Sequence, residues 1–427
     1  MTRALRVGSF RRLLVSYGLN ELTWSFGTIA LAVLIYRRTG SALGSTAFFL
    51  CSQFAPALFS PLLVARLGGV DHRRVLPLLY AVEAGLFGVL AAMATQARLV
   101  PILAVTLLDG IIALSARTIS RTATVDVLRP LDLLHEGNAL INVVFSVCYM
   151  VGPAIGGVVV AAGGTVSSLL VNCGLFAVIA LVLALTALPA VELHEEDRGR
   201  SALGRLRAAV DHARHDRAIG RLLLLQTFGM VMFTISIPVE VVFAQHSVHA
   251  GAGGYGAMLS GWGAGAVAGS AAYARWRRAR GNVLLAVSGT LLAFGFAVIA
   301  AAPTITLAVV GSALGGAGNG SGGIAIRTML QEYTPQRWMS LITSLLESLG
   351  QAAPGLGFVL GGVLSSVADP RVALAVAGAG SLVYAGAAGW GLRLARIGAP
   401  PPAFPPGPAP AAAVGPERVS GAPAGSG

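Results

Sequence analysis

Residues 150–160 read MVGPAIGGVVV, with Pro153 at the centre and three glycines around it. A soluble helix would be destabilised by this composition, because an interior proline costs about 3 kcal/mol and a glycine about 1 kcal/mol. A membrane helix tolerates both, since neighbouring helices satisfy the freed backbone groups and small residues let backbones approach closely. The pattern recurs in the second half of the chain, where residues 353–357 read APGLG and contain Pro354. We therefore expect a membrane protein with two related halves.

Composition places the whole chain in the membrane class. Hydrophobic residues make up 55% and charged residues 11%, with a mean hydropathy of +0.75, whereas soluble domains carry about 25% charged residues. A helix of about 20 apolar residues crosses a bilayer, and this chain has twelve such stretches. They are residues 13–36, 43–65, 75–95, 100–120, 139–162, 167–189, 221–244, 254–274, 283–301, 304–326, 340–366 and 372–394.

The arginines indicate an orientation. All 30 basic residues are arginines, and the net charge is +12. With the N-terminus in the cytoplasm, all but four of them fall on the cytoplasmic side of the twelve stretches; the exceptions are Arg37, Arg38, Arg98 and Arg371. This asymmetry follows the positive-inside rule. We therefore expect both termini in the cytoplasm. The orientation in the membrane explains the positive charge, so we expect no nucleic-acid partner.

Hydrophilic segments divide the chain. We expect an N-terminal six-helix half at residues 1–190, a cytoplasmic central loop at 191–220, a C-terminal six-helix half at 221–396 and a disordered tail at 397–427. In the central loop, Ser201 can cap a basic amphipathic helix that lies at the membrane interface; a solvated charged linker fits equally well. The tail is predicted to be disordered because it is rich in proline, glycine and alanine without apolar periodicity.

Residues 152–157, GPAIGG, match the fifth-helix signature G-P-x-x-G-G of major facilitator superfamily exporters. Over about residues 10–395 the chain resembles the bacterial drug and metabolite efflux branch of that superfamily. The resemblance implies an all-α fold of twelve transmembrane helices in two pseudo-symmetric six-helix halves. It also implies a secondary transporter that exports a small amphipathic molecule by alternating access, as a proton antiporter. The expected gate and helix-packing residues are Gly152, Pro153, Gly156, Gly157, Pro354 and Gly357.

Two positions depart from the superfamily pattern. The cytoplasmic loop after the second stretch keeps the basic residues of a G-x-x-x-D-R motif, but alanine stands at position 65 where the acidic partner is expected, and Asp71 can substitute for it. The basic residues are Arg66, Arg73 and Arg74. The R-x-x-x-G motif of antiporters would place an arginine at position 106, which is Thr106 here. The absence of this arginine weakens the expectation of proton antiport more than the expectation of transport.

Ionisable side chains inside the spans mark candidate working residues, because each costs about 2.5–3.5 kcal/mol at mid-helix. Glu21 in the first stretch and Asp109 in the fourth can exchange protons as access alternates, since a shielded carboxyl group holds its proton more readily. Glu240 in the seventh stretch can bind a cationic substrate or gate the outer mouth. Gln226 and Asn319 are neutral candidates for substrate contacts. Each of the five also has a structural interpretation as a hydrogen-bond partner in a packed half.

Glu83 in the third stretch and Glu347 in the eleventh are weaker candidates, because these helices are usually peripheral or rim-forming in the superfamily. The three cysteines lack metal-ligand spacing and no phosphate-binding motif is present. We therefore expect no metal and no cofactor.

The expected partners are a small-molecule substrate, protons and the lipid bilayer. We expect the protein to be a monomer and to lie in the bacterial inner membrane. An uptake carrier or uniporter of the same fold remains an alternative. A membrane enzyme is disfavoured because the histidines lie in loops without HExxH or triad-like spacing. A receptor is disfavoured because no sizeable soluble domain is present.

Overall fold

The computed structural model describes residues 2–67, 71–95, 99–188, 210–211, 213–276, 280–335 and 338–391. Within these ranges the chain is helical and forms no strand. The segment predicted to form an amphipathic helix from Ser201 lies largely outside them, and the predicted tail lies wholly outside them. The expected division at residues 190 and 220 stays a prediction.

The first half of the chain forms six helices. Their bounds are α1, Gly8–Thr39; α2, Ala42–Phe49, continued by a π-helical turn at Leu50–Phe54 into Ala55–Leu67; α3, His72–Met93; and α4, Leu99–Leu128. Helices α5 and α6 form one run, Leu134–Ala184, which is divided at Gly164. Gly164 has φ 77° and ψ 173°, a backbone conformation that glycine adopts readily.

The second half also forms six helices. Their bounds are α7, Arg217–Thr234 and Ser236–Val242, ending in a π-helical turn at Phe243–Ser247; α8, Gly251–Trp276; α9, Gly281–Ala301; α10, Ile305–Tyr333; α11, Met339–Val367; and α12, Pro370–Gly386, followed by a π-helical turn at Ala387–Gly391. Each of the twelve helices overlaps one of the twelve predicted stretches. We call the end of the bundle where α1 begins the proximal end, and the end where α1 finishes the distal end.

Two helices extend well beyond their apolar stretches. Helix α4 continues to Leu128 instead of ending near residue 120, and α10 continues to Tyr333 instead of ending near residue 326. Charge marks the edge of the apolar segment, but backbone hydrogen bonds continue the helix past it. Both helices therefore project from the proximal end.

Nine of the helical stretches in the described ranges are long and apolar enough to cross a membrane by length and composition alone. The run of α5 and α6 counts as one of these, while the glycine-rich α8 and α10 are not among them. The outer surface is apolar: Leu62, Leu78 and Leu224 are 61%, 63% and 72% exposed. Such a surface is too apolar for water and fits a bilayer.

Aspartates begin three of the helices. Asp71 precedes α3 and accepts from the amide of Arg73 at 3.0 Å. Asp216 precedes α7 and accepts from two amides, at 2.9 and 3.1 Å. Asp369 precedes α12 and accepts from the amide of Arg371 at 2.7 Å. These carboxylates satisfy backbone donors that a helix start leaves free and complement its dipole.

The two halves meet mainly through two pairs of helices. Helix α5 packs on α8, and α2 packs on α11; the distal part of α7 adds contacts with α1 and α2. A continuous apolar core fills this distal region and includes Ile35, Phe49, Phe243 and Phe358, each at most 1% exposed. Near the proximal end, the second half has a separate core around Leu222. The main packing between the halves therefore lies toward the distal end.

Candidate functional site

A cavity of about 270 Å³ lies among α1, α2, α3, α4 and α6. Most of its wall belongs to the first half, and Gln351 of α11 supplies a side chain from the second half. The wall combines three kinds of side chain. Aromatic residues are Trp24, Phe48, Phe87 and Phe176; neutral polar residues include Asn20, Thr23, Ser52, Gln53 and Thr106; charged residues are Glu83, Asp109 and Arg117.

The π-helical turn of α2 shapes one side of this cavity. Ser52 and Gln53 lie in that turn and line the cavity. A Cβ atom on Gly110 of α4 would lie 2.8 Å from the Ser52 carbonyl oxygen and 2.5 Å from Pro56 Cγ. Only glycine allows this approach, so α4 brings the adjacent Asp109 close to the irregular backbone of α2. Turns of this type often occur at functional sites.

Glu21 forms an ion pair across two helices. Its side chain is 6% exposed, and Oε1 lies 3.3 Å from Nη2 of Arg117 on α4. Glu21 does not itself line the cavity, whereas its neighbour Asn20 and its partner Arg117 do. The pair therefore forms the boundary between the cavity and the packed first half. Removing Arg117 would take the ion-pair partner from a buried carboxylate, which would keep Tyr17 and Arg121 as neighbours.

Asp109 and Glu83 face the same cavity from α4 and α3. Glu83 is 0% exposed, and neither of its carboxylate oxygens has a hydrogen-bond partner among the described residues. Oδ1 of Asp109 is likewise buried without a partner. Glu83 was expected to be a weaker candidate on a helix that is usually peripheral. Here α3 packs against α4 and against the α5–α6 run, and this side chain is turned inward.

Glu240 lies elsewhere. It is 6% exposed in the distal part of α7 and is not part of the cavity wall. Its neighbours include Ser236 on the same helix and two tyrosines, Tyr149 of α5 and Tyr255 of α8. The structure thus places Glu240 beside the contact between the halves, apart from Asp109.

Gln226 and Asn319 are brought together in the second half. Both line a smaller cavity of about 60 Å³ among α7, α9, α10 and α12. Its other polar side chains include Ser288 and Ser381, and Tyr384 closes one side. Ser288 shares a hydrogen bond of 2.8 Å with Ser321 of α10. This cavity has room for about two waters, at ~30 Å³ each.

The GPAIGG segment packs on two helices. A Cβ on Gly152 would lie 2.7 Å from Ser25 Oγ, and one on Gly156 would lie 2.9 Å from Phe26; both contacts are with α1. A Cβ on Gly157 would lie 2.9 Å from the Ala252 carbonyl oxygen of α8. Because α5 is thus held between α1 of its own half and α8 of the other, we call its contact with α8 the α5–α8 seam.

Backbone carbonyl groups of α5 lie close to glycines of α8 at the α5–α8 seam. A Cβ on Gly256 of α8 would lie 2.4 Å from the Pro153 carbonyl oxygen, and one on Gly263 would lie 2.6 Å from the Tyr149 carbonyl oxygen. Two backbones can approach this closely only where side chains are absent. The seam is therefore sensitive to a single added methyl group.

The Pro354 segment holds α11 in a comparable position. A Cβ on Gly355 would lie 2.6 Å from the Phe54 ring of α2, and one on Gly357 would lie 2.0 Å from Thr234 Oγ1 of α7. Farther along, the Thr46 hydroxyl donates to the Phe358 carbonyl at 3.3 Å, across the two halves. Helix α11 therefore packs on α2 of the other half and on α7 of its own.

Residues of the loop after α2 serve as anchors in the structure. Asp71 caps α3, and the Nε of Arg73 donates to the Leu188 carbonyl just after α6. His72 adds a contact of 3.7 Å from Nδ1 to Oδ2 of Asp126 near the end of α4. Arg66 and Arg74 are exposed at the proximal end. The predicted substitution of Asp71 for the missing acidic residue remains a prediction.

Sequence reasoning missed Arg117 and underrated Glu83. A hydropathy profile treats Arg117 as the edge of a span, although α4 continues for three more turns and carries it opposite Glu21. No arginine occupies the superfamily position at Thr106, whose hydroxyl donates to the Ile102 carbonyl at 2.8 Å. The cationic side chain that α4 contributes to the cavity is Arg117. Its pairing with Glu21, the one acidic residue of α1, could have been inferred only with the helix packing known.

No group of three or more His, Cys, Asp or Glu side chains is placed to hold a metal ion within the described ranges. The site consists of a cavity with one ion pair and two further carboxyl groups, three of whose four oxygens are buried without a hydrogen-bond partner among the described residues. Such an arrangement can bind a polar or charged solute, and it can exchange protons.

Comparison with known proteins identifies the family. The family described as Transmembrane secretion effector matches residues 4–414 of the chain. No curated protein matches the sequence.

Solved transporter structures share the fold. A mutant of the nucleoside transporter NupG superposes with a TM-score of 0.72 at 14% identity, covering 89% of this chain and 99% of that one. An inward-facing bacterial homologue of the iron transporter ferroportin gives a TM-score of 0.70 at 13% identity, with 89% and 97% covered. A bacterial homologue of the human lysosomal transporter Spinster gives a TM-score of 0.65 at 14% identity, with 91% and 92% covered.

These similarities confirm the predicted fold class, an all-α membrane protein with twelve transmembrane helices in two six-helix halves. Identities this low establish the fold and not the substrate. The family match and the fold lead to one conclusion: this chain is a multi-pass membrane protein that belongs to the transmembrane secretion effector family of major facilitator superfamily transporters.

Proposed function

We propose that the protein exports a small amphipathic molecule across the bacterial inner membrane by alternating access, in exchange for protons. Transport follows from the family, and the direction, the coupling and the kind of molecule are the proposed part. The observation that carries the proposal is the cavity beside the contact between the halves. It combines an aromatic wall, neutral polar groups and buried carboxyl groups, and Gln351 reaches it from the second half.

Distal packing between the halves supports an alternating-access cycle. The structure holds the halves together at the α5–α8 seam and between α2 and α11. If the proximal end is cytoplasmic, as the arginine distribution predicts, this is an inward-facing form. The ferroportin homologue with a TM-score of 0.70 is an inward-facing structure as well. Both termini then lie in the cytoplasm, and the transporter acts as a monomer.

Gates are proposed where small residues meet. Gly152, Pro153, Gly156 and Gly157 hold α5 against α1 and α8, while Pro354 and Gly357 lie where α11 approaches α2 and α7. Two helices that meet through glycines do not interlock their side chains. They can therefore separate as rigid bodies without side-chain rearrangement. These segments act as distal gates when the halves rock about the cavity.

Proton exchange is assigned to Glu21 or Asp109. A proton on Glu21 would cancel its attraction for Arg117, so protonation can release an ion pair between α1 and α4. Asp109 lies in the cavity wall, where a proton and a solute would meet. Glu240, Gln226 and Asn319 remain proposed contacts in the distal core and in the smaller cavity.

A reconstitution experiment tests the coupling. Proteoliposomes with an imposed pH gradient are given one cationic, one neutral and one anionic amphipathic solute: ethidium, chloramphenicol and fluorescein. We expect gradient-driven movement of at least one of them, and its loss in Glu21→Gln or Asp109→Asn. Glu332→Gln, which changes an exposed carboxylate at the end of α10, is the matched control. If both cavity variants keep the wild-type rate, the proton assignment is wrong.

An uptake carrier or uniporter of the same fold is the second candidate. The observation that favours it is Thr106, which stands where antiporters of the superfamily carry arginine. Counterflow in vesicles of known orientation separates the two functions. Exchange that proceeds at an unchanged rate after the pH gradient is collapsed would favour the uniporter.

A further inference from the structure

The charges around the larger cavity do not balance. Arg117 is the cationic side chain of the wall, and it is engaged by Glu21 at 3.3 Å. Among the described residues, Glu83 and Asp109 are the two other ionisable groups of the wall, and three of their oxygens are buried without a hydrogen-bond partner there. A buried carboxylate without a partner is strongly destabilising. Two carboxylates that lie close together share a proton more readily than they both ionise. With one proton on the Glu83–Asp109 pair, the wall still carries one excess negative charge, and both residues line the cavity in which a cation could balance it.

We propose that the solute bound in this cavity is a small organic monocation whose charged nitrogen lies between Glu83 and Asp109. The inference rests on the proposed function, in which this cavity holds the transported molecule. It assigns a substrate-binding role to Glu83, and it moves the cation site from Glu240, at the distal contact of the halves, into the first half.

Aromatic side chains complete such a site. Trp24 is 38% exposed although it lies on α1, a helix whose inner residues are otherwise mostly buried. It lines the cavity together with Phe48, Phe87 and Phe176. The rings of Phe87 and Phe176 are 5.2 Å apart and form a continuous apolar surface. An indole face attracts a cation more strongly than other aromatic rings do, and the phenyl rings suit the apolar body of the same molecule.

Size separates an organic cation from a metal ion. At ~30 Å³ per water, the 270 Å³ cavity equals about nine waters, which is far more space than one ion needs. Divalent ions also need more ligands, since calcium takes six to eight oxygens. Within the described residues no set of three or more His, Cys, Asp or Glu side chains is placed to hold a metal.

Equilibrium dialysis of the purified full-length protein in detergent tests the inference. The probes share one ring and differ in charge: benzyltrimethylammonium, benzyl alcohol and benzoate. We expect the cation to bind at least tenfold more tightly than the other two. Glu83→Gln and Asp109→Asn should each weaken cation binding at least tenfold, and Glu332→Gln should leave it unchanged. Trp24→Leu should weaken it at least threefold without affecting the carboxylates.

Three results would overturn the inference. Benzyl alcohol or benzoate could bind as tightly as the cation; Glu83→Gln could retain full cation affinity; or Mn²⁺ could bind in a Glu83-dependent way while the organic cation does not. A neutral glutamine removes a buried charge, so Glu83→Gln is expected to fold, and gel filtration with a thermal unfolding curve checks this. Trp24→Leu gives an independent readout if it does not.

The dialysis and proteoliposome experiments test cation binding and export independently. Dialysis involves no membrane gradient, so cation binding without movement in proteoliposomes would contradict the proposed export and leave the inference standing. Movement of a neutral or anionic solute, with no cation binding, would contradict the inference and leave export standing.

Discussion

Gly256→Ala is expected to weaken the α5–α8 seam and shift the protein away from the conformation in which the two halves are packed together at the distal end. The new Cβ would lie 2.4 Å from the Pro153 carbonyl oxygen and 3.0 Å from Gly157 Cα. Real Cβ contacts essentially never fall below 3.0 Å, and backbone atoms cannot rotate away as a flexible side chain can. Overpacking of this kind costs about 1–3 kcal/mol. That penalty corresponds to a change of roughly 5- to 150-fold in a conformational equilibrium.

Gly253→Ala is the matched control on the same helix. Its new Cβ would have one neighbour, Ala161 Cβ at 4.0 Å, which is an ordinary contact. Both variants replace a glycine near the start of α8 with alanine, so the difference between them reports mainly the contact across the seam.

Distances between spin labels on the two halves can measure this shift. Leu43 at the start of α2 and Val372 at the start of α12 are 48% and 43% exposed at the distal end, and can carry the labels in a background without the three native cysteines. We expect Gly256→Ala to add a longer-distance population and Gly253→Ala to match the parent. Identical distance distributions in both variants, with equal thermal stability, would refute the reasoning.

Three further predictions concern stability, each measured as a change in thermal unfolding of the purified protein. Arg117→Ala should destabilise it by about 1–3 kcal/mol, because the buried Glu21 loses its ion-pair partner and keeps only neighbours such as Tyr17 and Arg121. Adding Glu21→Gln should restore much of the loss; no recovery would mean that the pair is not the cause. Asp216→Ala should cost about 1 kcal/mol through loss of the α7 cap, whereas Asp216→Asn, which keeps an acceptor, should cost less; equal losses would contradict the capping role. Arg371→Met should cost about 1–3 kcal/mol, because it removes a 2.6 Å hydrogen bond to the Ala300 carbonyl of α9 and a cation–π contact with Phe243. Arg37→Met, which changes an exposed arginine at the same end, is the control and should have little effect. An equal loss of stability in both variants would point to a general effect of charge.

The number and order of the helices could be predicted from sequence, because a bilayer imposes a length on every apolar stretch. Their ends could not be placed as well. The charges at the proximal ends of α4 and α10 mark where the apolar environment stops, while the helices continue to Leu128 and Tyr333. The predicted stretches leave residues 163–166 between α5 and α6, and the structure continues the helical run through them except at Gly164.

The candidate site was predictable only in part. The cost of burying a charge in a bilayer singles out Glu21 and Asp109 from their positions in the sequence. The same cost applies to Glu83, but the direction in which α3 faces depends on its packing against α4, which periodicity does not reveal. Arg117 shows the converse difficulty, because a charge near the end of a span resembles a membrane boundary until its partner is located across the helix interface.

The junction at Gly164 links access to affinity. One non-helical residue, Gly164, joins α5 to α6, so the two helices follow each other without a loop. Helix α5 forms the α5–α8 seam, and α6 carries Phe176, which packs on Phe87 and lines the cavity. Opening the seam should therefore displace part of the cavity wall around the solute. The step that exposes the cavity would then also lower its affinity for the solute.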